Sequence, residues 1–338
     1  MTHREIAREL GISPAALSLI INRKPGVSDA TRETVIRKLR EMGRGDLLQK
    51  KAASDNLAFV IYKRNGAILD AHPFFLLLME HIENRAREYG CQILLSTVDK
   101  RRPLPEQTAR LAAMDCRGAI VFATEMEPED MAPLLSLPFP VIALDNEFAT
   151  LPCNAVAINN QMGISQAVGF LAGRGLRRIG YLKSSQRISS FAERERAYLD
   201  ALAALGLTAR PGDTVALHFT EEGSYRDMAA FLTAGPDLPD AFVCDDDTIA
   251  AGAMRALSEH GLRIPEDISL VGFNDRPSCA FTVPPLTSIS ISKHDFSYAA
   301  VDELIRMIRD ARAASPETRC RKLRIGTRLV ERETVREG

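Results

Sequence analysis

The sequence predicts a small helical head followed by a two-lobed α/β core of two doubly wound parallel sheets. Three observations lead there. Residues 1–43 read as three short amphipathic helices with helix-turn-helix spacing. From Leu57 onward, short apolar strands alternate with helical stretches, the pattern of a parallel sheet covered on both faces. The alternation restarts after Ala155–Ile158, which gives a second lobe. A chain of 338 residues has room for a large core and more than one domain. The expected boundaries are 1–45 for the head, 46–56 for a linker and 57–338 for the core.

In the head, Thr2 and Glu5 have capping-box spacing, and Ile6 and Leu10 form an i, i+4 apolar pair with Ala7 beside them. Gly11 lies between the first two helices, where a tight turn favours a residue that accepts positive φ. Ser13 suits an N-cap and Pro14 the first helical position, where its missing N–H would be unpaired anyway. A third helix follows, with Ser28 as cap, Val35, Ile36, Leu39 and Met42 inward, and Gly43 as the stop. Two helices joined by a glycine also occur in small bundles. Charge favours a nucleic-acid role: residues 1–50 hold ten Lys/Arg against six Asp/Glu, in a chain of net charge −1. A basic head on an acidic body suits a module that meets phosphates.

In the core, Leu57–Tyr62 is a buried-type strand. Phe74–Tyr89 is a helix with Phe75, Leu78, Met79 and Ile82 inward, ended by Gly90. Ile93–Leu95, Gly118–Phe122 and Val141–Leu144 are further strands, with a helix at Gln107–Met114. Ala155–Ile158 reads as a crossing segment. The second lobe then holds a helix at Gly163–Arg174 and strands at Ile179–Leu182, Val215–Leu217 and Ala241–Cys244. A helix at Thr248–Glu259 and a strand at Ile268–Val271 follow. Thr287–Ser290 is expected to cross back, Asp295–Asp310 to be a helix of the first lobe, and Lys322–Val335 to return to the second. The first lobe is thus about 57–158 plus 290–316, and the second about 159–289 plus 317–338. Ligands in such sheets bind beyond the C-terminal strand ends.

Composition excludes several classes. No run of about 18 apolar residues is present, so no membrane span is expected. The chain opens on a polar helix rather than a secretory leader. Six cysteines are scattered without a C-x-x-C pair and read as free thiols in a reducing cytoplasm. No histidine has metal-ligand spacing to another His or to a Cys. No Walker-type loop, G-x-G-x-x-G or G-x-S-x-G is present. No metal, cofactor or membrane partner is expected.

The head residues Glu5-Ile6-Ala7, Gly11-Ile12-Ser13, Ser18, Asn22, Val27-Ser28 and Thr31-Arg32 resemble the lactose-repressor (LacI/GalR) family of bacterial transcription regulators. The likeness continues in Arg194-x-x-x-Tyr198, Thr248–Met254, Gly261–Ser269, Gly272–Asp275 and Pro284–Ile289, so it spans nearly the whole chain. It implies a periplasmic-binding-protein-like core and a second helix that enters the DNA major groove. The implied DNA-binding residues are Arg4, Ser13, Pro14, Ala15, Ala16, Ser18, Leu19, Asn22 and Lys24, with Leu48 as a candidate minor-groove wedge. Leu19 stands where many relatives carry arginine, so an arginine–guanine contact is absent there. The linker also departs from the family's Pro-Asn-x-x-Ala-Arg-x-Leu pattern. Only Leu47, Leu48, Lys50 and Lys51 keep comparable chemistry.

The candidate effector residues are Phe75, Asp145, Arg194, Phe219, Tyr225, Asp246 and Asp275. The resemblance places an aromatic at Phe75 against the ligand; a core phenylalanine is the plain alternative. Asp145 ends a strand, where a carboxylate can accept two sugar hydroxyls or cap a loop. Arg194 offers a fixed fork of donors to vicinal hydroxyls, or is a solvated helix charge. Asp246 falls where relatives usually carry a ligand-contacting asparagine. Asp245-Asp246-Asp247 could suggest a metal, but sequential neighbours rarely converge. Asp275 matches the family's ligand-bonding aspartate, and Tyr225 or Phe219 offers a stacking face.

These features imply a homodimeric DNA-binding regulator, a repressor, that reads a near-palindromic operator under control of a small molecule, a sugar. No catalytic residue is expected. The alternative is a cytosolic sugar-binding protein or sugar-modifying enzyme that uses the same cleft. The basic head argues against a transporter's solute-binding protein.

Overall fold

The computed structural model describes residues 3–21, 26–44, 55–70, 74–312 and 320–337. It divides into two units, Met1–Asp55 and Asn56–Gly338. Thr2, Asn22, Lys24, Leu47, Leu48, Lys50, Lys51 and most of the expected linker lie outside the described residues, as does the side chain of Arg4.

The first unit holds helices α1 (His3–Glu9), α2 (Pro14–Ile21) and α3 (Asp29–Glu41). Their periodic apolar residues meet in one cluster: Ile6, Ala7, Leu10, Leu17, Ile20, Val35 and Leu39 are all buried. Each fully buried Leu or Ile contributes roughly 1.5–3 kcal/mol. Gly11 has φ +69°, so the turn between α1 and α2 uses the left-handed region. Ser13 Oγ accepts from Ala16 N at 3.0 Å and starts α2. Ser28 Oγ accepts from Thr31 N at 3.3 Å and starts α3.

The second unit contains two six-stranded sheets. The first lobe uses β1 (Asn56–Lys63), β2 (Gln92–Asp99), β3 (Ala119–Phe122), β4 (Val141–Leu144), β5 (Asn154–Ile158) and β11 (Lys322–Ile325). Their order is β2-β1-β3-β4-β5-β11, all parallel. The second lobe uses β6 (Ile179–Ser184), β7 (Thr214–Leu217), β8 (Ala241–Cys244), β9 (Ser269–Asn274), β10 (Ser288–Ile291) and β12 (Thr327–Val330). Their order is β7-β6-β8-β9-β10-β12, and only the edge strand β12 runs antiparallel. In both sheets the chain reverses its direction of build between the first strand and the third, at β1/β3 and at β6/β8. Such switch points open crevices at the C-terminal strand ends.

Helices α4 (Leu76–Glu88), α5 (Leu104–Ala112) and α6 (Pro128–Leu135) accompany the first sheet. Helices α7 (Asn160–Gly173), α8 (Ser189–Ala204), α9 (Glu221–Thr233) and α10 (Asp247–Glu259) accompany the second. Helix α11 (Lys293–Arg312) returns to pack on α4 and on β3, β4 and β5. Gly252 permits the close packing of α9 on α10: a Cβ there would lie 2.0 Å from Ser224 Oγ and 2.3 Å from the Glu221 carbonyl.

The crossings differ from the sequence expectation in three places. Ala155–Ile158 belongs to β5, a full strand between β4 and β11, and the chain crosses after it at Asn159. Thr287–Ser290 does not cross. Ser288 donates to Asp247 Oδ1 at 2.5 Å, which ties β10 to the second sheet, and the chain crosses only after Ile291. Lys322–Ile325 stays in the first lobe, paired with Ala155–Ile158, and Gly326 alone separates it from β12. Local patterning shows a strand but not its distant partner, which is why the expected boundaries slip here.

Candidate functional site

A cavity of about 370 Å³ opens between the lobes at the C-terminal strand ends. Thr124 and Asp145 reach it from just beyond β3 and β4, with Ile68, Phe74, Leu76 and Leu77 on the same side. The second lobe contributes Phe191 and Arg194 of α8, Phe219, Asp246, Asn274 and Arg276.

Arg194 is 3% exposed, so it is no solvated surface charge. Its Nε donates to Asn160 Oδ1 at 2.8 Å and its Nη1 to the Asp245 carbonyl at 2.5 Å. Asn160 is fixed in turn, since its Nδ2 donates to Glu193 Oε2 at 2.8 Å. The guanidinium lies 3.7 Å from the Phe273 ring centroid. These contacts set the plane of the fork and leave Nη2 for the cavity. Asn160 is not among the residues the sequence singles out; the Asn159-Asn160 pair directly after a strand is its available signal.

Asp145 has φ +73°, which turns its side chain out of the β4 direction. Its Oδ2 accepts from Thr124 Oγ1 at 2.6 Å. Burial pushes its carboxyl up to about 6, against the pull of the Thr124 hydroxyl and Arg194.

The three carboxylates after β8 diverge. Asp245 accepts from Tyr181 Oη at 2.5 Å, Ser184 N at 2.7 Å and Arg187 Nη1 at 2.9 Å. Asp246 caps α10, accepting from Thr248 N at 2.8 Å, and also accepts from Asn274 Nδ2. Asp247 accepts from Ser288 Oγ and, at 2.9 Å, from Arg276 N. Burial pushes Asp245 up to about 6 and Asp247, beside Asp246, up to about 7. Among the described residues no group of His, Cys, Asp or Glu is placed to hold a metal ion.

Three expected effector residues do not line the cavity. Phe75 starts α4 and its ring meets Phe122 edge-on at 6.0 Å, so the neighbouring Phe74 faces the cleft instead. Asp275 is turned away by the left-handed pair Asn274 (φ +101°) and Asp275 (φ +47°). Its Oδ1 accepts from Arg332 Nη2 at 2.7 Å, and Asn274 takes the cavity position. Tyr225 lies half-buried at the seam of α9 with α10, where its hydroxyl donates to Glu259 Oε2 at 2.5 Å under the Arg255 guanidinium. Asp145, Arg194, Phe219 and Asp246 do line the cavity.

The β1–α4 loop forms another cavity wall and is held from below by Glu125. Its Oε2 accepts from the backbone N–H groups of Arg64 (2.9 Å), Asn65 (3.4 Å) and Gly66 (3.0 Å). Its Oε1 accepts from Ile68 N (2.9 Å) and Leu69 N (3.1 Å). The buried carboxylate therefore replaces water for five amides and presents Ile68 to the cleft.

In the head, Pro14, Ala15 and Ser18 are exposed on α2, and Ala16 and Leu19 are half-buried. Ser13 is exposed, with its hydroxyl already engaged in the cap. Among the described residues no helix is long and apolar enough to cross a membrane.

The described residues thus comprise a three-helix unit and a two-lobed α/β unit whose cavity lies at paired switch points. Residues 168–335 match the periplasmic-binding-protein-like domain. The ribose operon repressor of Haemophilus influenzae is 28% identical over 339 residues, covering 99% of this chain and 98% of that protein. The regulator GalR of Escherichia coli is 28% identical, covering 85% of this chain and 83% of GalR. Among solved structures, a CelR–cellobiose complex superposes with TM-score 0.71 at 25% identity, covering 99% of both chains. A lac repressor dimer bound to operator and an anti-inducer superposes with TM-score 0.72 at 23% identity, covering 99% of this chain and 98% of that one, a likeness of fold. The chain is therefore similar to regulators of the LacI/GalR family along nearly its whole length. These relatives are named as regulators rather than enzymes.

Proposed function

We propose that this chain is a homodimeric repressor that acts in the cytoplasm on a near-palindromic operator and releases or tightens its grip when a sugar occupies the cleft. The observation that carries this reading is the buried, oriented fork of Arg194 facing Asp145 across the cavity, with Phe74, Phe191 and Phe219 in its walls. Donors, an acceptor and aromatic faces in one enclosed space suit hydroxyls on an apolar ring. Asp246 and Asn274 complete the polar rim, while Asp275, bonded to Arg332, braces the turn behind it. In the head, Ser13, Pro14, Ala15, Ala16, Ser18 and Leu19 form the surface offered to the major groove. That surface is small and apolar, which suits thymine methyls and shape readout.

The sugar would bind one closure state of the lobes better than the other, and the difference in affinity is what shifts DNA binding. The test is selection of bound duplexes from a random pool, followed by titration of the selected duplex with sugars. Enrichment of one palindrome whose binding responds to a sugar is the expected result. Salt-steep binding without enrichment, or a duplex indifferent to every sugar that binds the cleft, would overturn it.

A further inference from the structure

The cleft has two chambers. Beside the main cavity lies an annex of about 120 Å³, and Ile68, Thr124 and Ile188 belong to the walls of both. The annex is also built from both lobes. Arg64 and Asn65 of the β1–α4 loop face it on one side, and Gln186 and Arg187 on the other.

Its cations are already matched. Arg64 pairs with Asp130 at 3.1 Å and Glu127 at 3.4 Å. Arg187 pairs with Asp245 and with Glu195, both at 2.9 Å. A phosphate or carboxylate entering here would compete with carboxylates already in place. The amides are different. Asn65 Oδ1 accepts from Ala67 N at 2.9 Å, and Gln186 Oε1 accepts from Phe219 N at 2.8 Å. A backbone N–H fixes each amide oxygen and so decides the flip, which leaves the two NH₂ groups as donors. Neutral donors on both sides of a small chamber suit hydroxyl and ether oxygens. The main cavity holds Arg194 and Asp145 and opens into the annex past Ile68, Thr124 and Ile188.

We propose that the effector is an uncharged disaccharide, with one ring in the main cavity against Arg194 and the second in the annex between Asn65 and Gln186. This rests on the reading that the cleft binds a sugar.

The test is calorimetry on the full-length protein with neutral disaccharides, their component monosaccharides and a sugar phosphate. At least one disaccharide is expected to bind at least about tenfold more tightly than either component. Gln186→Glu and Asn65→Asp keep the acceptor that each backbone N–H needs and remove the NH₂ donors. Each is expected to weaken the disaccharide about tenfold and to leave monosaccharide binding within about twofold. Equal affinity for a disaccharide and its component would overturn the two-ring proposal while leaving the sugar reading intact. So would preference for the sugar phosphate, or variants that weaken both sugars alike. Failure of every sugar to bind would remove both readings together.

Discussion

Arg194 stacks on Phe273, with its guanidinium carbon 3.7 Å from the ring centroid. The flat face rests on the ring while two edges are held by Asn160 and the Asp245 carbonyl. Lysine can supply the charge but not the plane or the fork. Arg194→Lys is therefore expected to lower effector affinity by roughly 10–100-fold, measured by calorimetry. Arg194→Met strands two buried acceptors and is expected to cost about 1–3 kcal/mol of stability as well. A lysine variant that binds as the parent does would show that charge alone suffices.

Three buried carboxylates each contribute a loss of core stability as pH rises from about 4 to 7. Asp145 and Asp245 titrate near 6 and Asp247 near 7 in the folded chain, all raised by burial. In the unfolded chain they titrate near 3.9. Across that window the folded state holds more protons, so raising the pH favours unfolding. Asp145→Asn removes one charge and can still accept from Thr124. Its urea midpoint should exceed the parent's at pH 8, by about 1–3 kcal/mol in free energy, and match it near pH 4. A gain that is the same at both values would point to a cause other than ionisation.

Glu125 is a second stability determinant with a functional reach. Glu125→Ala leaves five backbone N–H groups without their acceptor, and a loss of about 3 kcal/mol or more is expected. Because Ile68 rides on that loop, effector affinity should fall too, and more than for a surface control. Thermal melts and calorimetry on the same preparation check both. Lower stability with unchanged affinity would separate the loop from the ligand.

Head and core should fail independently. Leu17 is 1% exposed in the small core shared by α1, α2 and α3. Leu17→Ala is expected to cost about 2–5 kcal/mol there and to abolish operator binding. Effector affinity of the core should stay within about twofold, since the buried neighbours of Leu17 all belong to the head. A parallel loss of sugar binding would contradict that division.

The architecture was legible because its signals are local. Leu57–Tyr62 and Val141–Leu144 are apolar runs bounded by breakers, and Gly11, Ser13 and Pro14 punctuate the head. The apolar pattern does not reveal helices α8 and α9, because their inward faces carry Ser190, Arg194, Gly223 and Ser224 where the pattern expects aliphatic residues. In the site, Asp145 and Asp246 lie just beyond the ends of β4 and β8, whereas Arg194 sits within α8 and is reached only through the Arg194-x-x-x-Tyr198 resemblance. The resemblance points to Asp275, while Asn274 lines the cavity, because counting along a motif cannot see two successive left-handed residues. Phe75 and Phe74 were exchanged for a related reason: both are apolar neighbours at a helix start, and only packing on Phe122 separates them.

The five amides gathered on Glu125 transfer authorship of a loop. Its path is dictated by a residue just beyond β3, through main-chain atoms that every amino acid but proline possesses. The side chains along that path are then at liberty to vary. A change at Asn65 or Ile68 alters what the cleft meets without redrawing the curve that carries it. Such a scaffold lets a regulator acquire a taste for a new sugar one substitution at a time, with the frame beneath left standing.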